Sequence, residues 1–221
     1  MTDYFRNKNI LITGANGFTG TWLSVYLTMM GARLYGFGKE DCHTNNFYSA
    51  YNSEIFYHFD ILNIDNSSKL KEKYSEIKFD FIFHLAAQPL VLNAYIKPGN
   101  TMRTNVTGTI NLIDFIIETQ PVSKNLFVTT DKVYFNSNSG LAFTESDMLW
   151  GNEPYASSKV AMEAVIEGYF QSDQTFRSRS VIARAGNIFG GGDFSENRLI
   201  VDYFSAKNSR KQLSIRQPHA I

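Results

Sequence analysis

Short apolar runs rich in Ile, Val, Phe and Tyr alternate along the chain with longer stretches whose apolar residues recur at helical spacing. The short runs predict strands at Asn9–Thr13, Arg33–Phe37, Ile55–His58, Phe79–Leu85, Asn125–Thr129 and Ser180–Ala183. The longer stretches predict helices near Thr19–Met30, Ser67–Ile77, Gly99–Thr119, Pro154–Phe170 and Asn197–Lys207. Strand and helix in regular alternation wind a parallel sheet, so the expected fold class is α/β and doubly wound. Phe81–Leu85 is apolar apart from His84, as expected of a strand covered by helices on both faces.

Two of the helices carry wide apolar surfaces, one through Val106, Ile110, Ile113 and Ile117, the other through Val160, Ala164, Val165 and Tyr169. Amphipathic helices pack such surfaces on their own sheet. The same surfaces also suit pairing with a second subunit.

Composition narrows the class. With 221 residues, 43% hydrophobic and 19% charged, the chain suits one globular domain with a well-buried core, or one domain plus the beginning of another. The formal net charge is zero, and neither a basic cluster nor an acidic tail is present, which argues against nucleic acid or an anionic membrane surface as a partner. An anionic ligand would have to be held by backbone N–H groups and a few placed arginines. The single cysteine, Cys42, leaves no internal disulfide and no cysteine-rich zinc site, and no metal is expected. Met1–Asn9 is polar and runs straight into a strand, and no apolar run approaches membrane-spanning length. A cytoplasmic protein is expected.

The first strand ends in Gly14-Ala15-Asn16-Gly17-Phe18-Thr19-Gly20 and leads into the first helix. Gly14 can supply a sharp turn, Gly17 lets backbone approach a diphosphate, and Gly20 lets the helix pack tightly on the strand. The helix start then offers free N–H groups and a positive dipole end to phosphates. Glycines alone prove little, but at the first strand–helix junction of an α/β pattern they point to dinucleotide binding. An acidic residue about twenty positions after the last glycine would hold the adenosine ribose hydroxyls. Glu40 fits, with Asp41 beside it, and an acidic group there favours NAD over NADP, although Lys39 pulls the other way.

Tyr155 and Lys159 form a Tyr-x-x-x-Lys pair, which a helix brings to one face. An ammonium there can lower the phenol pKa and make a base near neutral pH. Tyr4/Lys8, Tyr35/Lys39, Tyr74/Lys78 and Tyr203/Lys207 match the same spacing. Only Tyr155 opens a helix after the fifth strand, downstream of Thr129-Thr130-Asp131-Lys132, where open α/β sheets place ligands beyond the carboxyl ends of their strands. The small residues after Phe83-His84 suit backbone lying against a flat cofactor ring, and His84 reads as a packing residue at a strand end.

The glycine spacing G-x-x-G-x-x-G resembles the extended short-chain dehydrogenase/reductases. More specifically, the ordered runs FHLAAQPLV, TNVTGT, TTDKVY, YASSK, RAGNIFGGGDF, NRLIVD and RQPHAI resemble CDP-glucose 4,6-dehydratases along essentially the whole chain, with Thr130-Asp131-Lys132 the sharpest marker. The resemblance implies a Rossmann-type NAD-binding domain over residues 1–185 and the start of a substrate-binding domain over 186–221. It implies cofactor contacts from Gly14, Asn16, Gly17, Phe18, Gly20, Glu40, Asp60, Ile61, Leu85, Ala86, Ala87, Asn105, Tyr155 and Lys159. Gln88, Asn187 and Arg198 would meet the nucleotide-sugar, with Arg198 available to pair with a phosphate. By the same resemblance Tyr155 takes the C4 hydroxyl proton, Thr130 hydrogen-bonds that oxygen, neutral Lys132 removes the C5 proton, and protonated Asp131 gives a proton to the departing C6 hydroxyl. CDP-glucose would become the 4-keto-6-deoxy sugar, on a homodimer paired through the Gly99–Thr119 and Pro154–Phe170 helices.

Members of that family continue beyond the position of Ile221 with most of a smaller domain that closes over the sugar. A half-built cleft is therefore expected to bind sugar-nucleotide weakly and exclude water poorly. Another epimerase or dehydratase of the same superfamily, or an NAD-binding module without catalysis, is the alternative.

Overall fold

A computed structural model describes residues 4–40, 55–137, 140–195, 197–213 and 215. Asp41, Cys42 and the RQPHAI run lie outside the described residues, apart from Ile215 just before that run. Six strands form one wholly parallel sheet: β1 (Asn9–Thr13), β2 (Arg33–Gly38), β3 (His58–Ile61), β4 (Phe81–His84), β5 (Lys124–Thr130) and β6 (Ser180–Ala185). Their order is β3-β2-β1-β4-β5-β6, the Rossmann order. Winding outward from β1 in both directions leaves a crevice at the carboxyl ends of β1 and β4.

Alternation along the strands sends Ile10 and Ile12 to one face, with Leu27 of α1 (Phe18–Met29) and Leu34. Leu11, Ile82 and Phe127 pack on the other face, against α2 (Ser67–Tyr74), α5 (Gly108–Thr119) and α6 (Pro154–Ser172). Two short helices, α3 (Val91–Ile96) and α4 (Pro98–Met102), follow β4, and α7 (Gln174–Ser178) and α8 (Leu199–Asn208) flank β6. Among the described residues no helix is long and apolar enough to cross a membrane.

Three elements depart from expectation. The third strand starts at His58, not Ile55, because Ile55 is buried in the cluster of Ile10 and Ile12, and Phe56 packs on Phe59. The expected single helix from Gly99 to Thr119 is broken at Arg103–Thr107, which form a π-turn, a wider coil that functional sites favour. The helical segment also begins earlier than expected, in separate α3, since Pro98 interrupts it at Lys97.

The two wide helix surfaces also divide differently. Leu112, Ile113, Phe115 and Ile116 of α5 and Met162, Ile166 and Phe170 of α6 make the buried faces. Ile110, Ala164, Val165 and Tyr169 instead line a shallow outer depression of about 360 Å³ with Gly168 and Ser172.

Candidate functional site

At the first turn, Gly14 takes φ +68°, and a Cβ on it would stand 2.8 Å from the Ala86 backbone. A Cβ on Gly20 would collide with the Gly14 carbonyl oxygen. The turn is thus pressed between α1 and the Leu85–Ala86 backbone, which itself donates to Thr13 Oγ1 from Leu85 N (3.2 Å) and Ala86 N (3.0 Å). Gly17 caps α1 with no side-chain hydrogen bond, and its first turn holds no acidic residue. The leading amides, including that of Phe18, therefore have neither an intrahelical acceptor nor a capping side chain. That is a cradle for a diphosphate, and it fits the pyrophosphate of a dinucleotide.

The other cofactor-side residues surround this turn. Asn16 is buried and donates to the Lys39 carbonyl (2.7 Å), tying the turn to the end of β2, where Glu40 stands exposed. The Lys39 ammonium points back to Thr104 Oγ1 at 3.5 Å. At the end of β3, Asp60 faces His58 Nε2 at 2.8 Å and Lys73 Nζ at 3.6 Å, and Ile61 is exposed beside it. Ala87 follows Ala86, half-buried at the mouth of the crevice.

Behind the crevice runs a buried chain of hydrogen bonds with one direction. Thr13 Oγ1 already accepts two amides, so its O–H donates to His84 Nδ1 (2.8 Å). His84 Nε2–H then donates to Thr109 Oγ1 (2.9 Å), whose hydroxyl donates to the Asn105 carbonyl (2.7 Å). Burial first, and the nearby Lys159 second, push the His84 pKa down to about 3, so the ring is neutral. The packing role expected for His84 is the one it has.

Asn105, on the π-turn, accepts from Gln88 N (2.8 Å) and donates to Ser158 Oγ (2.8 Å) and the Gln88 carbonyl (3.3 Å). It bolts the loop after β4 to α6. The Gln88 amide is turned inward: it donates to Thr101 Oγ1 and the Leu90 carbonyl and accepts from Leu90 N, so it is not aimed at the crevice.

The expected reacting groups meet at the end of β5. Glu153 caps α6 by accepting from Tyr155 N (2.7 Å) and Ala156 N (2.8 Å), and Pro154 takes the first helical position, which fixes Tyr155 in the first turn. Tyr155 and Thr130 are both buried and close enough for Thr130 to act on the phenol, and the Thr130 hydroxyl donates to Asp131 Oδ1 (3.2 Å). Thr130 also opens the 3₁₀ turn Asp131–Val133 by accepting from Lys132 N. Asp131 and Lys132 are exposed on that turn.

Lys159 is buried one turn along α6. Its ammonium donates to the Val128 carbonyl (3.3 Å) and lies 3.6 Å from Met162 Sδ. Burial lowers its pKa to about 8, against the pull of Glu163. The expected depression of the Tyr155 phenol is not found. Burial raises its pKa, opposed by Thr130 and by Arg198, while the Lys159 ammonium is engaged by the Val128 carbonyl. Arg198 lies close enough to act on Tyr155 while pairing with Asp193 (3.4 Å), and Asn187 is exposed in the segment after β6.

One group was missed by sequence reasoning. Glu163, 1% exposed, accepts from Thr129 Oγ1 and from the Arg184 guanidinium, at 3.0 Å from Nε and 2.7 Å from Nη2. Arg184 in turn donates to Tyr134 Oη (3.0 Å) and the Glu145 carbonyl (3.1 Å). The only signal in the sequence was an acidic residue four positions after Lys159, a common pairing on solvated helix faces.

A parallel sheet in Rossmann order, a glycine turn against a helix start, and a Tyr/Lys pair on the helix after β5 define a Rossmann-type fold of the short-chain dehydrogenase/reductase kind. The chain belongs to the GDP-mannose 4,6 dehydratase family, whose model matches residues 11–215. It is 31% identical to a CDP-glucose 4,6-dehydratase of Salmonella typhimurium over 99% of this chain and 63% of that protein. It is 29% identical to a dTDP-D-glucose 4,6-dehydratase of Dictyostelium discoideum over 96% of this chain and 51% of that protein. The dTDP-glucose 4,6-dehydratase of Bacillus anthracis, solved in complex with NAD, superposes with a TM-score of 0.79 at 26% identity, covering 93% of this chain and 63% of that one. The chain thus spans between half and two thirds of the length of these relatives.

Proposed function

We propose that this chain carries the NAD-binding and reacting groups of a sugar-nucleotide 4,6-dehydratase that converts CDP-glucose to CDP-4-keto-6-deoxyglucose. The observation that carries the reading is the buried Tyr155 phenol standing beside Thr130 at the head of the Asp131-Lys132 turn. The relative from Salmonella typhimurium supports CDP-glucose as the substrate.

NAD would lie with its diphosphate on the Gly14–Gly20 turn, its adenosine toward Glu40, Asp60 and Ile61, and its nicotinamide half toward Leu85, Ala86 and Ala87. When bound, it supplies an acceptor that takes hydride from the sugar and gives it back, with no net redox change. Tyr155, neutral in the free chain, must first lose its phenol proton to solvent; as the phenolate it accepts the C4 hydroxyl proton while Thr130 orients that oxygen. The C4 ketone acidifies the C5 proton, which Lys132 removes, and Asp131 protonates the departing C6 hydroxyl. Lys132 and Asp131 are exposed on this chain, so the water-poor surroundings this step needs come from whatever covers the cleft. Asn187 and Arg198 would meet the nucleotide-sugar, and Gln88 would need to turn its amide outward to do so. The depression along Ile110, Ala164, Val165 and Tyr169 is where a second copy would pair.

The test is CDP-glucose turnover with NAD in deuterated water. Product carrying deuterium at C5 is expected, with about a hundredfold loss of turnover or more in Tyr155→Phe. C5 exchange that persists in Lys132→Ala would remove lysine as the base, and release of a C4 epimer would replace the dehydratase reading with an epimerase.

A further inference from the structure

The residues just beneath the reacting pair are held by a buried ion pair to which neither motif nor spacing assigns a role. In the parallel register of β5 and β6, Thr129 and Arg184 are direct partners, and both reach the same carboxylate from below α6. Arg184 closes on Glu163 through Nε and Nη2, leaving Nη1 for Tyr134 and Glu145 in the segment after the Asp131–Val133 turn. Its guanidinium also lies over the Tyr134 ring, 4.8 Å from the centroid, and that ring stacks on Phe143 at 4.7 Å. One carboxylate therefore joins four pieces of chain: α6, the end of β5, β6, and the segment leading away from the 3₁₀ turn.

We infer that Glu163 is a positioning residue, which together with Arg184 seats α6 on the end of β5 so that Tyr155 meets Thr130, and which serves as the buried counter-charge of the Lys159 ammonium. Three geometric facts carry it. Thr129, held by Glu163, is the neighbour of Thr130, which stands beside the phenol. Val128, on the other side of Thr129, receives the Lys159 ammonium. Glu163 lies one helical turn from Lys159 and two from Tyr155 on α6, so its attachment to the sheet fixes both.

The groups around Lys159 leave Glu163 as its source of negative charge. His84 of β4 is neutral, Tyr155 is a neutral phenol whose pKa is raised, Val128 offers a carbonyl, and Arg184 of β6 is bound to Glu163 itself. A buried ammonium without a counter-charge loses its proton more easily.

This inference rests on the assignment of Tyr155 and Lys159 as the reacting pair, and its test does not depend on turnover. The whole chain, labelled with [13Cε]lysine, is titrated by NMR, with Lys159→Arg identifying the Lys159 resonance. The midpoint for Lys159 is expected to fall in Glu163→Gln by about one pH unit or more, and to return in Glu163→Asp. If the lone Arg184 unfolds Glu163→Gln, the double variant Glu163→Gln/Arg184→Met removes that burden, and the midpoint is again expected below wild type. A midpoint unchanged in either folded variant overturns the inference, and so does loss of the fold in both, which would make the pair purely structural. NAD binding by the wild-type chain is measured alongside: its absence would sink the functional reading and leave the Lys159 titration standing.

Discussion

Around the start of α1 the chain offers backbone, and around the start of α6 it offers side chains. The first region works by leaving atoms out: glycine at 14 and 20 lets turn, helix and the Leu85–Ala86 segment close on one another, and the ligand-facing groups are amides. The second works by burying polar groups together, with Tyr155 beside Thr130, Lys159 on Val128, and Glu163 on Thr129 and Arg184. Shape protects the first region and charge the second, so they should fail differently. Packing faults should ruin the turn at any pH, whereas the β5–α6 region should answer to protons.

The largest expected effect follows from the turn. Gly20→Ala places a methyl group against the Gly14 carbonyl and the Ala15 backbone, which cannot yield as a side chain tip can. A loss of about 3 kcal/mol in urea denaturation is expected, together with loss of NAD binding. A variant as stable as its parent would show that the turn is loose, and the contrast between the regions would collapse.

The second effect is acid sensitivity through His84, which joins the two regions. Its folded pKa, about 3, lies below the usual 6.5, so the unfolded chain takes up a proton that the folded chain refuses. The contribution is complete above pH 6.5 and is lost as pH falls toward 3, on the order of 1.4 kcal/mol per pH unit across that window. Melting temperatures recorded through this range should fall steeply in wild type and less steeply in His84→Gln. Parallel slopes would mean that another group governs acid unfolding.

The smallest effect belongs to Glu40. It is exposed at the end of β2, so Glu40→Ser is expected to strengthen NADP binding by about fivefold or less, measured by titration of both dinucleotides. A preference for NADP already present in wild type would hand the decision to Lys39.

The alternation of strands and helices, the sheet class and the glycine turn were legible because each depends on local spacing. The third strand was misplaced because Ile55 and Phe56 carry strand-forming side chains that the fold uses for packing instead, while Tyr57 is left exposed. The π-turn at Arg103–Thr107 was not legible, since it changes helical pitch without changing composition. Tyr155 and Lys159 were singled out by their place after β5, but their ionisation was not legible, because it depends on burial. Glu163 stayed hidden because an acidic residue on a helix reads as solvated until β6 delivers Arg184 to it.

The segment after β6 is laid across the opening of α1: Trp22 Nε1 donates to the Gly191 carbonyl at 2.9 Å, and Gly190 borders the Phe18 ring. Trp22 is one of only two tryptophans, and the other, Trp150, stands 59% exposed ahead of α6. The molecule therefore carries its own optical gauge. With Trp150 replaced by phenylalanine, indole emission registers whether that crossing strap is seated or lifted, with no label attached.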